Sequence, residues 1–292
     1  MYSDIRANKF KTAVIVTIFL LMISFIVYFI CYWFGLGEYA VIFAIGVSIL
    51  TTVGTYYNSD KIVLSQVNAR KATHEEDLQL TNILDGLMVA SGLTHRPELY
   101  VVDSAQPNAF ATGRDPEHAV ICVTKGLLER LNYYELEGVV AHEMGHIKNY
   151  DIRLSCVISV MVGFVVILSD VVLRGFRYRG SSRNRDANPL LMIIGIIFLI
   201  LSPIASNLIK LAVSRRREYL ADATAVSFTR NPDGLISALE KISADPNEYE
   251  YASKSTEHMY ISNPFKNINK TNIFSTHPST PDRINAIKNL KY

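Results

Sequence analysis

Cysteine is scarce in this chain. Cys31, Cys122 and Cys156 are the only three in 292 residues, they form no CxxC pair, and they are too scattered for a disulfide framework. Buried free thiols in a reducing or lipid setting are expected instead. Surplus charge is also missing: 29 basic against 27 acidic residues leave a net charge of +2, too little to gather nucleic acid. Internal repeats and low-complexity tracts are absent. Charge disappears altogether from Ala13 to Phe34 and from Tyr39 to Tyr57, and each run is long enough to cross a hydrocarbon core about 30 Å thick. With 49% apolar residues and a mean hydropathy of +0.18, the composition is that of a membrane protein.

The two uncharged runs make a helical hairpin. The first is too long for a cleaved signal peptide, and no small-residue cleavage site follows it. Arg6, Lys9 and Lys11 precede it, and only Glu38 lies in the turn behind it. The positive-inside rule then puts the N-terminus in the cytoplasm, with the chain returning there near Asp60 and Lys61.

The most informative segment is His142-Glu143-Met144-Gly145-His146. Histidines four apart on a helix lie on one face, so both imidazoles reach one metal ion, and Glu143 stands beside that face, where it touches a water on the metal. The helix itself is supported locally. Asn132 and Glu135 have the form of a capping box, and Leu136, Val139, Val140 and Met144 recur at helical spacing.

A catalytic zinc site needs a third protein ligand and an open fourth position. Among the later acidic residues Glu218 stands out because Asp222 follows at i+4. One carboxylate could bind the metal while the other accepts a ring N–H from a ligand histidine. A solvated Glu218 paired with Arg215, Arg216 and Arg217 is an equal alternative on these residues alone.

HEMGH, the Glu218–Asp222 segment EYLAD, Asn108-Ala109-Phe110-Ala111 with Gly113, and Ser275-Thr276-His277-Pro278-Ser279 with Arg283 together resemble the HtpX-type membrane zinc endopeptidases, a family related to the CAAX prenyl proteases. The likeness covers nearly the whole chain. It implies Zn²⁺, one per chain, held by His142, His146 and Glu218, with Asp222 behind the ligands. It also implies a substrate-binding edge strand at or beside Asn108–Gly113; without it that stretch reads only as a turn. For His277 it implies an oxyanion-stabilising or gating role, whereas a lone histidine before a proline is ordinarily structural. His74, His95, His118 and His258 lack partner spacing and read as surface residues.

Two further apolar windows, Ser155–Leu173 and Pro189–Val213, flank a loop with five arginines. If both span, that loop lies outside against the charge rule; if they only dip in, the number of crossings is still even. Either way HEMGH and Glu218 share one side. They are 72 positions apart (218 − 146), yet both stand within roughly 15 Å of the bilayer edge at helical rise. The metal is therefore expected near the cytoplasmic membrane surface.

Elsewhere, helical spacing runs through Leu78, Ile83, Leu84, Leu87 and Met88 to Gly92, and β-like runs occupy Glu98–Val102 and Ala119–Val123. Asp233–Ser243 reads as an amphipathic helix, and Asp245 to about Thr276 as a long loop, mobile or covering the cleft. A last helix opens with Thr280 as N-cap and Pro281 at N1.

The expected fold is α+β and mainly α-helical: a multi-pass membrane protein with a gluzincin-like zinc peptidase domain containing a small β-sheet. Its parts are a transmembrane hairpin (1–60), a first catalytic part (61–154), a second hydrophobic hairpin (155–213) and a second catalytic part (214–292). The expected activity is hydrolysis of peptide bonds in membrane or membrane-associated proteins, with Glu143 as general base and acid. N-terminus, catalytic site and C-terminus are expected on the cytoplasmic side of the cell membrane, with the lipid bilayer and protein substrates as partners and no nucleic acid. The alternatives are a non-catalytic zinc-binding scaffold and a transporter, the latter using Asp170 and Lys210, although both stand near window ends where side chains snorkel.

Overall fold

The structure is a computed structural model that describes residues 2–33, 35, 37–179, 214–247, 249, 251, 253, 255–265 and 278–290. The window Pro189–Val213, most of the arginine loop and His277 lie outside the described residues.

Uncharged backbone in an apolar medium satisfies its own N–H and C=O groups, which makes a helix of each N-terminal run. These are α1 (Tyr2–Trp33) and α2 (Tyr39–Tyr57). On α2, Ala40, Ala44, Ser48 and Thr52 recur every fourth residue and are all buried, a small-residue stripe that lets the helix axes approach. The opposite faces stay apolar and open, with Leu21 61% and Leu50 77% exposed. Arg6–Phe29 and Tyr39–Tyr57 are long and apolar enough to cross a membrane.

The catalytic body begins with α3 (Ser59–Gln66), β1 (Arg70–Lys71) and α4 (His74–Ser91), followed by β2 (Glu98–Val102), β3 (Ala109–Gly113) and β4 (Ala119–Thr124). The sheet order is β1-β2-β4-β3, with β2 and β4 parallel and the outer pairings antiparallel, so β3 is an edge. Helices α5 (Lys125–Arg130), α6 (Tyr133–Lys148) and α7 (Asp151–Arg179) come next, then α8 (Arg215–Thr229), α9 (Pro232–Ala244) and α10 (Thr280–Lys288).

One apolar core joins Leu84 of α4, Ile121 of β4, Leu136 and Met144 of α6, Leu239 of α9 and Ile287 of α10. The segments on either side of the second hydrophobic window therefore fold as a single body. A second cluster packs Ile15, Phe19 and Ile23 of α1 against Ile158 and Met161 of α7. Helix α7 starts at Asp151, so the boundary expected at residue 154 falls inside its first turn.

Ala109–Gly113 is the edge strand that the resemblance implies and not the turn that its residues alone suggest; all five residues are buried, so no alternation of polar and apolar residues marks it. Other expectations change. The last helix is capped by Ser279, whose hydroxyl accepts from the Asp282 amide at 3.2 Å, rather than by Thr280. In the long loop after Asp245, Tyr249, Met259, Tyr260 and Ile261 are buried. Its 260–261 stretch lies on the edge of β3, where the Ile261 amide donates to the Ala109 carbonyl at 2.9 Å.

Candidate active site

Helix α6 starts as its capping box predicts. The Asn132 side chain accepts from the Glu135 amide at 3.1 Å, and Glu135 Oε2 accepts from the Asn132 amide at 2.8 Å. Glu135 also accepts from Ser237 and Lys241 of α9 at 2.6 and 2.7 Å. Although burial opposes ionisation, these donors hold its carboxyl below the usual range. Two glycines then set how near the neighbours come. A Cβ on Gly138 would lie 2.9 Å from Leu235 Cα, and one on Gly145 would lie 3.3 Å from the Ala221 carbonyl. The second contact draws α8 against α6 and sets Glu218 opposite the two histidines.

His142, His146 and Glu218 each offer a ligand atom, all within 4.8 Å of one another. Glu218 Oε2 is 3.8 Å from His142 Nε2, and Oε1 is 3.6 Å from His146 Nε2. On each ring Nδ1 faces a different carboxylate: Asp222 at 2.9 Å for His142 and Asp151 at 3.0 Å for His146. On each ring Nδ1 thus faces outward to a carboxylate and Nε2 faces Glu218. Two nitrogens and a carboxylate at this spacing suit a zinc ion. Glu218 is buried and faces the imidazoles, with Asp222 behind them, the placement that a metal-binding Glu218 requires.

The Asp222 carboxylate is locked by Arg283, whose Nε and Nη2 donate to its two oxygens at 2.9 and 2.6 Å. Against the cost of burial, this guanidinium holds the Asp222 pKa down at about 2. Arg283 Nη1 also donates to the Ile261 carbonyl at 2.7 Å, tying α10 to the segment on β3. Burial lowers the His142 pKa to about 4. His146 is also desolvated, but Asp151 and the carboxylates of Glu218 and Glu143 outweigh that and raise it to about 9. Burial pushes Glu143 up to about 7, and neither of its oxygens has a hydrogen-bond partner among the described residues.

A cleft opens over this group, lined by Ala111 of β3, Glu143, His146, Glu218, Arg217 and His258. His258 was expected at the surface, but it is 7% exposed and its Nε2 donates to the Ser155 carbonyl at 3.2 Å. The short 3₁₀ turn Glu257–Met259 carries it inward, and no local spacing signals that. The Asn108 side chain is buried and engages the backbone of Ser262, donating to its carbonyl at 3.0 Å. It therefore supports the 260–262 segment. Asp151 and the clamping role of Arg283 escaped the sequence reading; an acidic residue five positions after a ligand histidine is a usable signal for the first.

The sequence profile of peptidase family M48 matches residues 74–291. A Protease HtpX homolog of Dictyoglomus thermophilum is 45% identical across 98% of this chain and 94% of its own length. Those of Thermoanaerobacter pseudethanolicus and Listeria monocytogenes are 42% and 40% identical, each across 99% of this chain and 98% and 100% of theirs. Among solved structures, Ste24p of S. mikatae shares the fold, with a TM-score of 0.51 at 18% identity, over 98% of this chain and 67% of that one. With its paired histidines, facing carboxylate and apolar membrane-length helices, the chain belongs to peptidase family M48 and is a membrane metalloprotease of the HtpX type.

Proposed function

We propose that this protein is a zinc-dependent endopeptidase acting on membrane or membrane-associated proteins, damaged or misfolded ones among them. The observation that carries the reading is the convergence of His142 Nε2, His146 Nε2 and Glu218 beside the unbonded carboxylate of Glu143. Zn²⁺ held there supplies Lewis acidity and brings the pKa of a coordinated water toward 7. Glu143 takes a proton from the water that attacks the scissile carbonyl, and it returns a proton to the leaving amine. Asp222 and Asp151 keep the two imidazoles oriented while Arg283 keeps Asp222 ionised.

Substrate is proposed to bind as an added strand on β3. The Ala109 carbonyl is already taken by Ile261, and by the two-residue period of a strand Ala111 presents its backbone groups on the same side. Ala111 lines the cleft, so the free edge begins beside Glu143. The pairing follows the backbone, which favours unfolded segments over any one sequence. The apolar faces of α1 and α2 support a membrane site of action, and Arg6, Lys9 and Lys11 in the first turns of α1, ahead of its uncharged run, support a cytoplasmic N-terminus and active site.

Glu143→Ala should lower cleavage of a model membrane substrate by about 10²–10⁴-fold while zinc content stays near one per chain. Cleavage at the parent rate in that variant sinks the assignment. Loss of cleavage on chelation, with return on adding Zn²⁺, separates the enzyme from a zinc-binding scaffold or a transporter.

A further inference from the structure

We infer that Asn8, on the membrane helix α1, is a positioning residue for the metal site, acting through Asp151 on the ring of His146. This rests on the reading of His142, His146 and Glu218 as zinc ligands. Asn8 stands two residues into the apolar stretch that begins at Arg6, and it is 4% exposed. Its Nδ2 donates to Asp151 Oδ1 at 2.7 Å and to the Asn149 carbonyl at 3.3 Å. Both amide hydrogens are thereby used on acceptors, which decides how the side chain is turned. Asp151 Oδ2 meets His146 Nδ1 at 3.0 Å. One carboxylate therefore bridges a membrane helix and a metal ligand, one oxygen to each.

The place of this contact matters. Asn149 caps α6, Tyr150 has the left-handed φ of 60°, and Asp151 opens α7 after a bend of 85°. Asn8 thus bonds to both sides of the corner at which the metal helix turns. Lys9 adds a second hold, with its ammonium 4.3 Å from the centre of the Tyr150 ring. In sequence the partners are 143 positions apart. A buried carboxylate with two acceptor oxygens keeps its orientation only while both are engaged. Removing the Asn8 donor leaves Asp151 Oδ1 only Arg217 Nη1, at 3.8 Å and beyond hydrogen-bond distance, and so loosens the hold on the ring of His146.

The test uses the full chain in detergent, titrated with Zn²⁺ against a chromogenic chelator. Asn8→Leu keeps the side chain's bulk but cannot donate, and its zinc dissociation constant should rise roughly 10-fold, the low end for outer partners of metal ligands. In an Asp151→Ala background the same substitution should add nothing, because the link is already cut. Phe19→Ala, which removes the edge contact with Phe164 between α1 and α7, should lower Tm and leave zinc affinity within about twofold. The inference is overturned if Asn8→Leu shifts Tm alone, if its effect persists undiminished without Asp151, or if Phe19→Ala weakens zinc equally. A parent chain that binds no zinc would sink the metal reading first, and the inference with it.

Discussion

The two ligand histidines sit one turn apart on α6 and meet different halves of the molecule. His142 is fully buried, and its support comes from the C-terminal side, through Asp222 of α8 and Arg283 of α10. His146 opens onto the cleft, and its support comes from the corner into α7 and from α1. On the first side a guanidinium neutralises the outer carboxylate. On the second, a neutral amide donates to the carboxylate and the guanidinium of Arg217 stands farther off, 3.8 Å from Asp151. The difference teaches that one site draws on two kinds of support, a buried ion pair that also carries the fold and a polar bridge to the membrane helix that chiefly orients a ligand.

Breaking the ion pair should have the largest effect. Arg283→Met leaves the Asp222 charge buried without its partner, and a loss of about 3–5 kcal/mol in unfolding free energy is expected by chemical denaturation. A loss below 1 kcal/mol would remove the contrast between the two sides. The outer carboxylates come next. Asp222→Asn and Asp151→Asn should each weaken zinc binding about 10–100-fold, but only the first, which strands Arg283, should lower Tm substantially. Equal losses of Tm would show that both carboxylates carry the fold alike.

The smallest effect lies away from the site and serves as its reference. Arg70 donates to both oxygens of Glu76 at 2.8 Å, and this hydrogen bonding, against a smaller cost of burial, lowers the Glu76 pKa from 4.5 to about 2. A carboxyl lowered in the folded state adds stability above its unfolded pKa and loses it as pH falls through the folded value. Glu76→Gln should therefore melt slightly below the parent near pH 7, and that gap should close between about pH 4.5 and pH 2. A gap that widens on acidification would have the wrong sign.

Much of the site was legible because it is local. The i,i+4 histidines and the Asn132–Glu135 capping box are properties of one helix, and α6 runs from Tyr133 to Lys148 as that spacing implies. The α4 and α9 elements follow in the same way from apolar periodicity. β3 was legible only through resemblance, since a strand buried on both faces has no alternation to read. Asn108 lies just before the strand that the resemblance marked, and nothing near it in the chain names Ser262 as its partner. His258 was misread for a similar reason, as its burial depends on how a 3₁₀ turn docks against α7.

By itself the amino-acid order determined the membrane-length helices, the pair of imidazoles and the glutamate between them, since hydrophobic length and helical periodicity act over a few turns. Only the tertiary structure decided which carboxylate faces the two imidazoles, which ones stand behind them, and that the first membrane helix reaches the corner beside His146. Those partners are separated by up to 143 positions. Contacts at that range arise when apolar faces pack and close glycine contacts bring helices together, and no local pattern encodes which polar groups meet as a result.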